Sequence, residues 1–131
     1  MTDSWKWERA LAREIVGFSG KVVTVEIDDE TYDFASKNLR DLYADVILVH
    51  GDGSLGYPPE VPYDKICVTA ACPKIPEPLI YQLKPLGKLV APVGYLATQD
   101  LVVLEKESES TWKTRIVEKV LYVPLRGKCG W

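Results

Sequence analysis

The sequence predicts an α/β fold with a mostly parallel sheet that ends in an antiparallel hairpin. Four short runs of β-branched and other apolar residues follow one another, and segments with helical spacing separate them. Unbroken apolar runs suit strands that are buried on both faces of a parallel sheet. After the fourth run the pattern changes to two long β-like runs joined by a polar turn, which is typical of a hairpin. The four short runs are Lys21 to Glu26, Asp45 to His50, Lys65 to Ala70 and Lys88 to Val93.

Apolar residues at helical spacing predict the helices. They are Trp7, Leu11 and Ile15 before the stop at Gly17, then Ala35, Leu39 and Leu42, and finally Leu79, Ile80 and Leu83. The second helix follows the acidic turn Asp28 to Glu30, which complements the positive end of a helix dipole. Pro76 and Pro78 open the third helix, and Pro85-Leu86-Gly87 closes it.

The predicted hairpin joins the run Gln99 to Glu107 to the run Trp112 to Leu125 through Ser108-Glu109-Ser110. Helix-linked strands followed by a hairpin fit a parallel sheet with antiparallel strands at one edge. Such sheets bind ligands beyond the carboxyl ends of their strands. Residues that directly follow each strand are therefore the first candidates for function.

Length and composition limit the class of protein. With 131 residues and 14.7 kDa, we expect a single domain over residues 1–131. The net charge of −3 and the pI near 5.2 lack the basic excess of nucleic-acid binders. No apolar run reaches the roughly 20 residues that span a bilayer, and the first ten residues carry no signal-peptide core. We expect a cytoplasmic protein that binds neither nucleic acid nor membrane.

The cysteines and the single histidine predict no metal site. Cys67, Cys72 and Cys129 are odd in number and have no neighbouring histidine, so we interpret them as reduced thiols outside any disulfide or zinc site. His50 ends an apolar run, and we interpret it as a strand-terminal residue near a pocket rim rather than as a catalytic or metal-binding group.

Three strand ends carry candidate binding groups. Glu26 could accept hydrogen bonds from the two hydroxyls of a ribose, or it could cap the next helix. Asp52 lies between two glycines that would let backbone approach a ligand, but a simple turn explains it as well. The small residues of Thr69 to Pro73 would leave room for a substrate, or they could form a tight strand-to-helix connection.

Long stretches of the chain resemble the protein-L-isoaspartate O-methyltransferases. They are VVTVEIDDE, then GDGSLGYPPEVPYDKICVTAACPKIPEPLIYQLKPLGKLVAPVG, then YVPLRG, and the likeness extends from about Ala10 to Gly127. The resemblance implies a Rossmann-like methyltransferase sheet, S-adenosylmethionine as methyl donor and isoaspartyl peptides or proteins as substrates of a repair reaction. It places the cofactor at Glu26, Ile27, Asp52 and Gly53. It places the substrate at Thr69, Ala70, Ala71, Val123, Pro124 and Leu125.

The resemblance implies no catalytic side chain. A carboxylate with a pKa of about 4 is already ionised at neutral pH, so methyl transfer to it needs no strong base. Alignment of the nucleophile, the methyl group and the leaving sulfur supplies most of what a protein can add. The absence of a catalytic His, Cys or Ser constellation therefore agrees with a methyltransferase.

The N-terminal part departs from the family. Ser4-Trp5-Lys6-Trp7 stands where relatives carry a glycine-rich turn after a strand, so we expect an N-terminally truncated relative that lacks the central first strand of the sheet. The strands that flank the gap would then pair directly with each other, or a second copy of the chain would cover them, and we expect a homo-oligomer. A non-catalytic relative that acts as a binding or structural protein is the alternative function.

Overall fold

The computed structural model of the chain describes residues 20–42, 46–95 and 97–131, with the side chains of 38–42 left out. The chain divides into two compact units, one ending at Gly51 and the other beginning at Asp52. The helix expected around Trp7, Leu11 and Ile15 and the segment Ser4 to Trp7 lie outside the described residues. The single domain over residues 1–131 stays a prediction.

The first unit contains two parallel strands and the helix between them. Strand β1 is Val23–Glu26, helix α1 is Asp29–Leu42 and strand β2 is Ile47–His50. The strands run in register, from Val23 opposite Ile47 to Glu26 opposite His50. Both predicted strands are present but shorter than their apolar runs, and the side chains of Leu39 and Leu42 lie outside the described residues. Ala35 is buried, as expected for the inner face of α1.

The second unit is built on a four-stranded sheet in the order β3-β4-β5-β6. Strand β3 (Tyr63–Cys67) pairs in parallel with β4 (Leu83–Tyr95), and helix α2 (Glu77–Gln82) lies between them in the chain. Strands β5 (Thr98–Lys106) and β6 (Trp112–Val120) continue the sheet in antiparallel fashion. The mixed α/β sheet confirms the predicted fold class.

The described ladders belong to two sheets. Within residues 20–42, 46–95 and 97–131, β1 pairs with β2 in one sheet and β3 pairs with β4 in the other. The two arrangements expected at the gap from the sequence, direct pairing and cover by a second copy, stay predictions.

The predicted end of the third helix is wrong. Helix α2 ends at Gln82, and Leu83 is already the first residue of β4. The register jumps from Tyr63 opposite Leu83 to Lys65 opposite Lys88, so Pro85-Leu86-Gly87 forms a bulge within β4. Proline lacks the N–H that a sheet ladder requires, and Leu86 has a φ of 70°, which explains why these residues leave the ladder.

The apolar stripe of α2 nevertheless packs as expected. Leu79, Ile80 and Leu83 are 5%, 7% and 1% exposed and belong to the core of the second unit. The rest of this core comes from the sheet and the loop after β3: Val68, Cys72, Leu89, Ala91 and Leu104. This core fixes α2 against the sheet and sets the position of the loop between them.

The antiparallel strands lie at one edge of the sheet, as predicted, with β5 paired to β4 and β6 paired to β5. The β5–β6 turn is as predicted, since the N–H groups of Glu107 and Ser108 both donate to the carbonyl of Thr111. Strand β6 ends at Val120, whereas the apolar pattern continues to Leu125. No helix in the described residues is both long enough and apolar enough to cross a membrane.

Candidate functional site

Glu26 lies at the carboxyl end of β1, where parallel sheets bind ligands. Its carboxylate oxygen Oε1 accepts the backbone N–H of Asp28 at 3.1 Å. The helix cap belongs to Asp28, whose Oδ2 accepts the N–H of Thr31 at 2.9 Å. Asp28 therefore caps α1, and the place of Glu26 in a ligand site stays a prediction. Ile27 is half-buried beside it.

His50 ends β2 as predicted and is the register partner of Glu26. Its Nε2 lies 2.8 Å from Oδ1 of Asp29, and its ring stacks on Tyr32 with centroids 4.6 Å apart. Asp29 and Tyr32 are three residues apart in α1, which places them on one helix face. Neither contact of His50 was expected from the sequence, although the helical spacing of Asp29 and Tyr32 is visible in it.

Asp52 forms a hydrogen-bonded turn in the second unit. Its Oδ1 accepts the N–H and the hydroxyl of Ser54, and its Oδ2 accepts the N–H of Lys128 at 2.8 Å. Partial burial raises the pKa of this carboxyl, but the bonds from Ser54 and Lys128 outweigh burial and hold the pKa below its usual 3.8. Asp52 therefore forms a turn, and its part in cofactor binding stays a prediction. Gly53 begins the short 3-10 turn that Asp52 caps.

The structure brings the loop after β3 together with the segment after β6. The N–H of Ala71 donates to the carbonyl of Val123, and the N–H of Leu125 donates to the carbonyl of Ala71, both at 2.7 Å. Ala71 and Pro124 are register partners in this short parallel bridge. We call Ala71 and Val123–Leu125 the substrate bridge, because the sequence resemblance places the substrate here.

The members of the two segments differ in exposure. Thr69, Val123 and Pro124 are exposed, and Ala70 and Leu125 are half-buried. Ala71 is fully buried. The exposed members can contact a ligand with their side chains, whereas Ala71 connects the segments through its backbone.

Two residues that sequence reasoning missed hold the substrate bridge. Gln99 is 1% exposed, accepts the N–H of Tyr122 at 2.8 Å and donates to the carbonyl of Tyr95 at 2.7 Å. Trp131 donates its indole N–H to the carbonyl of Ala71 at 3.0 Å. The contacts of Gln99 with Tyr122 and of Trp131 with Ala71 join residues 23 and 60 apart in sequence, and no local pattern signals them.

The three cysteines differ in burial, and Cys72 is the buried one. Cys72 is fully buried, and burial raises the pKa of its thiol to about 11. The structure describes all three cysteines, and none of them forms a disulfide. Within the described residues, no three His, Cys, Asp or Glu side chains are grouped so that they could hold a metal ion.

Comparison with known proteins identifies the family. Residues 7–130 match the family model described as protein-L-isoaspartate(D-aspartate) O-methyltransferase. The chain belongs to this family. The resemblance seen in the sequence is thereby confirmed.

Curated relatives agree with the family match. The chain is 46% identical over 126 residues to protein-L-isoaspartate O-methyltransferase 2 of Archaeoglobus fulgidus, covering 95% of this chain and 57% of the relative. It is 50% identical over 114 residues to the protein-L-isoaspartate O-methyltransferase of Hyperthermus butylicus, covering 86% and 47%. The chain spans about half the length of these relatives.

Solved structures share the fold. One, named protein-L-isoaspartate O-methyltransferase, superimposes with a TM-score of 0.87 at 29% identity and covers 95% of this chain and 40% of its own. A second is titled a putative protein-L-isoaspartate O-methyltransferase from Plasmodium falciparum in complex with S-adenosyl-L-homocysteine. It has a TM-score of 0.70 at 22% identity and covers 81% of this chain and 52% of its own. The second likeness shows the fold alone.

Proposed function

We propose that the chain is part of an S-adenosylmethionine-dependent protein-L-isoaspartate O-methyltransferase, which methylates the isoaspartyl carboxylate of damaged proteins. Family membership supports the reaction class. The observation that carries the proposal is the substrate bridge, in which the loop after β3 is hydrogen-bonded to Val123–Leu125. These are the two segments to which the sequence resemblance assigns the isoaspartyl peptide.

The chemistry of this reaction suits the residues that the chain offers. S-adenosylmethionine supplies a methyl group activated by the positive charge of its sulfur. The attacking carboxylate is ionised at neutral pH, so the protein has no proton to remove. The buried thiol of Cys72, with its raised pKa, takes no part as a nucleophile. The role of the chain is to bind and orient the reactants, which can lower a barrier by about 7–11 kcal/mol.

In the first unit, Glu26 fits the ribose of the cofactor. Its carboxylate is fixed at the carboxyl end of a parallel strand by the N–H of Asp28, and a carboxylate there can accept hydrogen bonds from ribose hydroxyls. Ile27 is the next residue and is half-buried, which suits apolar contact with the cofactor. We therefore assign Glu26 and Ile27 to cofactor binding.

In the second unit, Asp52 and Gly53 fit adenine binding through their backbone. The carboxylate of Asp52 already accepts three hydrogen bonds, from two donors of Ser54 and one of Lys128. Because these bonds occupy the carboxylate, it is poorly suited to accept hydrogen bonds from adenine as well. We assign the adenine contact to the main chain of Asp52 and Gly53. The side chain of Asp52 fixes the conformation of this main chain.

The exposure of each residue indicates whether it can contact the isoaspartyl peptide or only supports the segment that does. Thr69, Val123 and Pro124 are exposed and are assigned to contact with the isoaspartyl peptide, with Ala70 and Leu125 beside them. Ala71 is fully buried, and its N–H and its carbonyl are both used inside the substrate bridge. Ala71 therefore supports the binding segment rather than touching the peptide.

The test is transfer of labelled methyl groups from S-adenosylmethionine to an isoaspartyl peptide, compared with the same peptide containing aspartate. We expect incorporation into the isoaspartyl peptide alone. Thr69→Val, which removes an exposed hydroxyl at constant size, should lower this rate. Thr114→Val, at an exposed position of β6, is the matched control and should leave it unchanged.

A different result would favour the alternative of a non-catalytic relative. Calorimetry with S-adenosylhomocysteine separates the two cases, since a binding protein without activity would take up the ligand but transfer no methyl group. A 131-residue chain that neither binds S-adenosylhomocysteine nor transfers a methyl group would contradict the proposal.

A further inference from the structure

The last five residues of the chain form a turn that binds three other segments of the second unit. The turn, Gly127–Trp131, is closed by a hydrogen bond from the N–H of Gly130 to the carbonyl of Gly127 at 3.1 Å. We call Gly127–Trp131 the C-terminal clasp. Neither helix nor strand extends into it. Its position is therefore set by the contacts described next.

One side of the C-terminal clasp is bonded to the loop after β2. The N–H of Lys128 donates to Oδ2 of Asp52 at 2.8 Å, and the N–H of Cys129 donates to the hydroxyl of Ser54 at 3.1 Å. Ser54 is fully buried and its hydroxyl also donates to Asp52. This loop contains the residues that we assign to adenine.

The other side of the C-terminal clasp is bonded to the substrate bridge. The indole N–H of Trp131 donates to the carbonyl of Ala71 at 3.0 Å, and its backbone N–H donates to the carbonyl of Leu125 at 2.8 Å. The carbonyl of Ala71 thus accepts two hydrogen bonds, one from Leu125 and one from Trp131. A single residue therefore bonds to both segments of the substrate bridge, to Ala71 through its side chain and to Leu125 through its backbone.

The glycines of the C-terminal clasp allow this close contact. Gly127 has a φ of 143°, in the region that favours glycine, and a Cβ there would overlap the carboxylate of Asp52. A Cβ on Gly130 would overlap the carbonyl oxygen of Leu125. Each glycine thus lies against one of the two elements that the clasp connects. A larger residue at either position would push the clasp away from that element.

We propose that the C-terminal clasp is a positioning device that sets the loop of Asp52 and Ser54 relative to the substrate bridge, with Trp131 as the positioning residue for isoaspartyl peptide recognition. The inference rests on the proposed function, because it assigns the peptide to the bridge. Its physical basis is that the C-terminal clasp holds the segments of the substrate bridge in place before the peptide binds, so loosening the clasp weakens peptide binding without touching the peptide.

The test is Trp131→Phe, which keeps an aromatic ring and removes the indole N–H, with Trp112→Phe on β6 as the matched control. A hydrogen bond of about 0.5–1.5 kcal/mol corresponds to about a 2- to 12-fold change in an equilibrium constant. We expect KM for the isoaspartyl peptide to rise by about this factor in Trp131→Phe, with kcat and the affinity for S-adenosylhomocysteine within about twofold of wild type. Trp112→Phe should change none of them.

Hydrogen exchange gives a second readout that does not require activity. In Trp131→Phe the backbone N–H groups of Ala71 and Leu125 should exchange faster, again by about 2- to 12-fold, because the bridge opens more easily. Gly130→Ala should have the same effect on both amides. Trp112→Phe should leave them at the wild-type rate.

The outcomes separate the inference from the proposed function. Unchanged exchange of Ala71 and Leu125 in Trp131→Phe, or faster exchange with an unchanged KM for the peptide, would overturn the positioning role alone. A wild-type chain that neither binds nor methylates the isoaspartyl peptide would overturn the proposed function, and with it the recognition role of the C-terminal clasp.

Discussion

Gln99 accepts the backbone N–H of Tyr122 with its side-chain carbonyl at 2.8 Å, although the two residues lie on opposite sides of the β5–β6 hairpin. The other half of the same amide donates to the carbonyl of Tyr95 at 2.7 Å. The side chain is 1% exposed, so both bonds are shielded from water. Gln99 therefore fixes the chain where it leaves β6, just before Val123–Leu125.

Replacing Gln99 by Met should lower the free energy of unfolding by about 1–3 kcal/mol, because a side chain of similar size leaves the N–H of Tyr122 and the carbonyl of Tyr95 without this partner. Urea denaturation measures the change. Gln99→Glu keeps the acceptor but sets a carboxylate against the carbonyl of Tyr95, so it should be more damaging at neutral pH than in mild acid. A Met variant as stable as wild type would show that these bonds add nothing.

Lys106 should be equally sensitive. It is 1% exposed and donates its ammonium to the carbonyls of Ile80 and Leu83, at the C-terminal end of α2. Cations are favoured there because the last carbonyls of a helix lack intrahelical partners. Lys106→Met should therefore lower the free energy of unfolding by about 1–3 kcal/mol.

The control for Lys106 is Lys74→Met, at an exposed position. Surface substitutions of this kind usually change stability by less than about 0.5 kcal/mol. Equal effects of the two substitutions in thermal and urea unfolding would contradict a structural role for the buried ammonium. A larger loss of stability in Lys106→Met than in Lys74→Met would show that the buried ammonium stabilises the end of α2.

The lowered pKa of Asp52 predicts that the chain loses stability in acid. Its pKa is lowered in the folded chain, so its contribution is present above the ordinary value of 3.8 and is lost as the pH falls through the folded pKa. Asp52→Asn cannot accept the N–H of Lys128 with its amide nitrogen. The variant should unfold at a lower temperature near neutral pH and should approach wild type as the pH falls through the folded pKa of Asp52.

The matched control for this titration is Asp64→Asn, an exposed carboxylate 3.4 Å from the ammonium of Lys84. Exposed ion pairs contribute little, so this variant should follow the wild-type melting curve across the same pH range. A difference between Asp52→Asn and wild type that stays constant from about pH 6 to about pH 3 would contradict the role of the Asp52 charge.

The sequence patterns that succeeded are local ones. Apolar runs located β1 to β4, and the polar turn Ser108 to Ser110 located the β5–β6 connection, because both depend on residues close together in the chain. The same rules misplaced the end of α2. Proline and glycine mark an interruption of regular structure, but they do not say whether the structure is a helix that ends or a strand that bulges.

The contacts that build the candidate site could not be predicted in this way. Trp131 and Ala71 are 60 residues apart, and Lys128 and Asp52 are 76 residues apart. Such pairs are set by how the sheet and its loops pack, and a donor such as the indole N–H leaves no periodic pattern. Family resemblance pointed to the segments, whose role in binding stays a prediction, and the structure shows which of their residues are buried and which are exposed.

Association of the chain stays a prediction that sedimentation equilibrium can check. Edge strands with open backbone groups favour pairing with a second copy, and the homo-oligomer expected from the sequence should therefore give a solution mass above 14.7 kDa. The mass should fall toward that of the monomer on dilution. A monomer at every concentration would contradict the prediction.

Glu26 provides the sharpest test of cofactor binding. If its carboxylate accepts the ribose hydroxyls, Glu26→Ala should weaken binding of S-adenosylhomocysteine by about 1–3 kcal/mol, which corresponds to about a 5- to 150-fold rise in Kd. Glu26→Gln keeps an oxygen for the N–H of Asp28 but removes the charge, so its loss should be smaller. Glu30→Ala, at an exposed acid in the first turn of α1, is the control and should bind like wild type. Calorimetry on the folded variants measures each Kd, and an unchanged value in Glu26→Ala would remove Glu26 from the cofactor site.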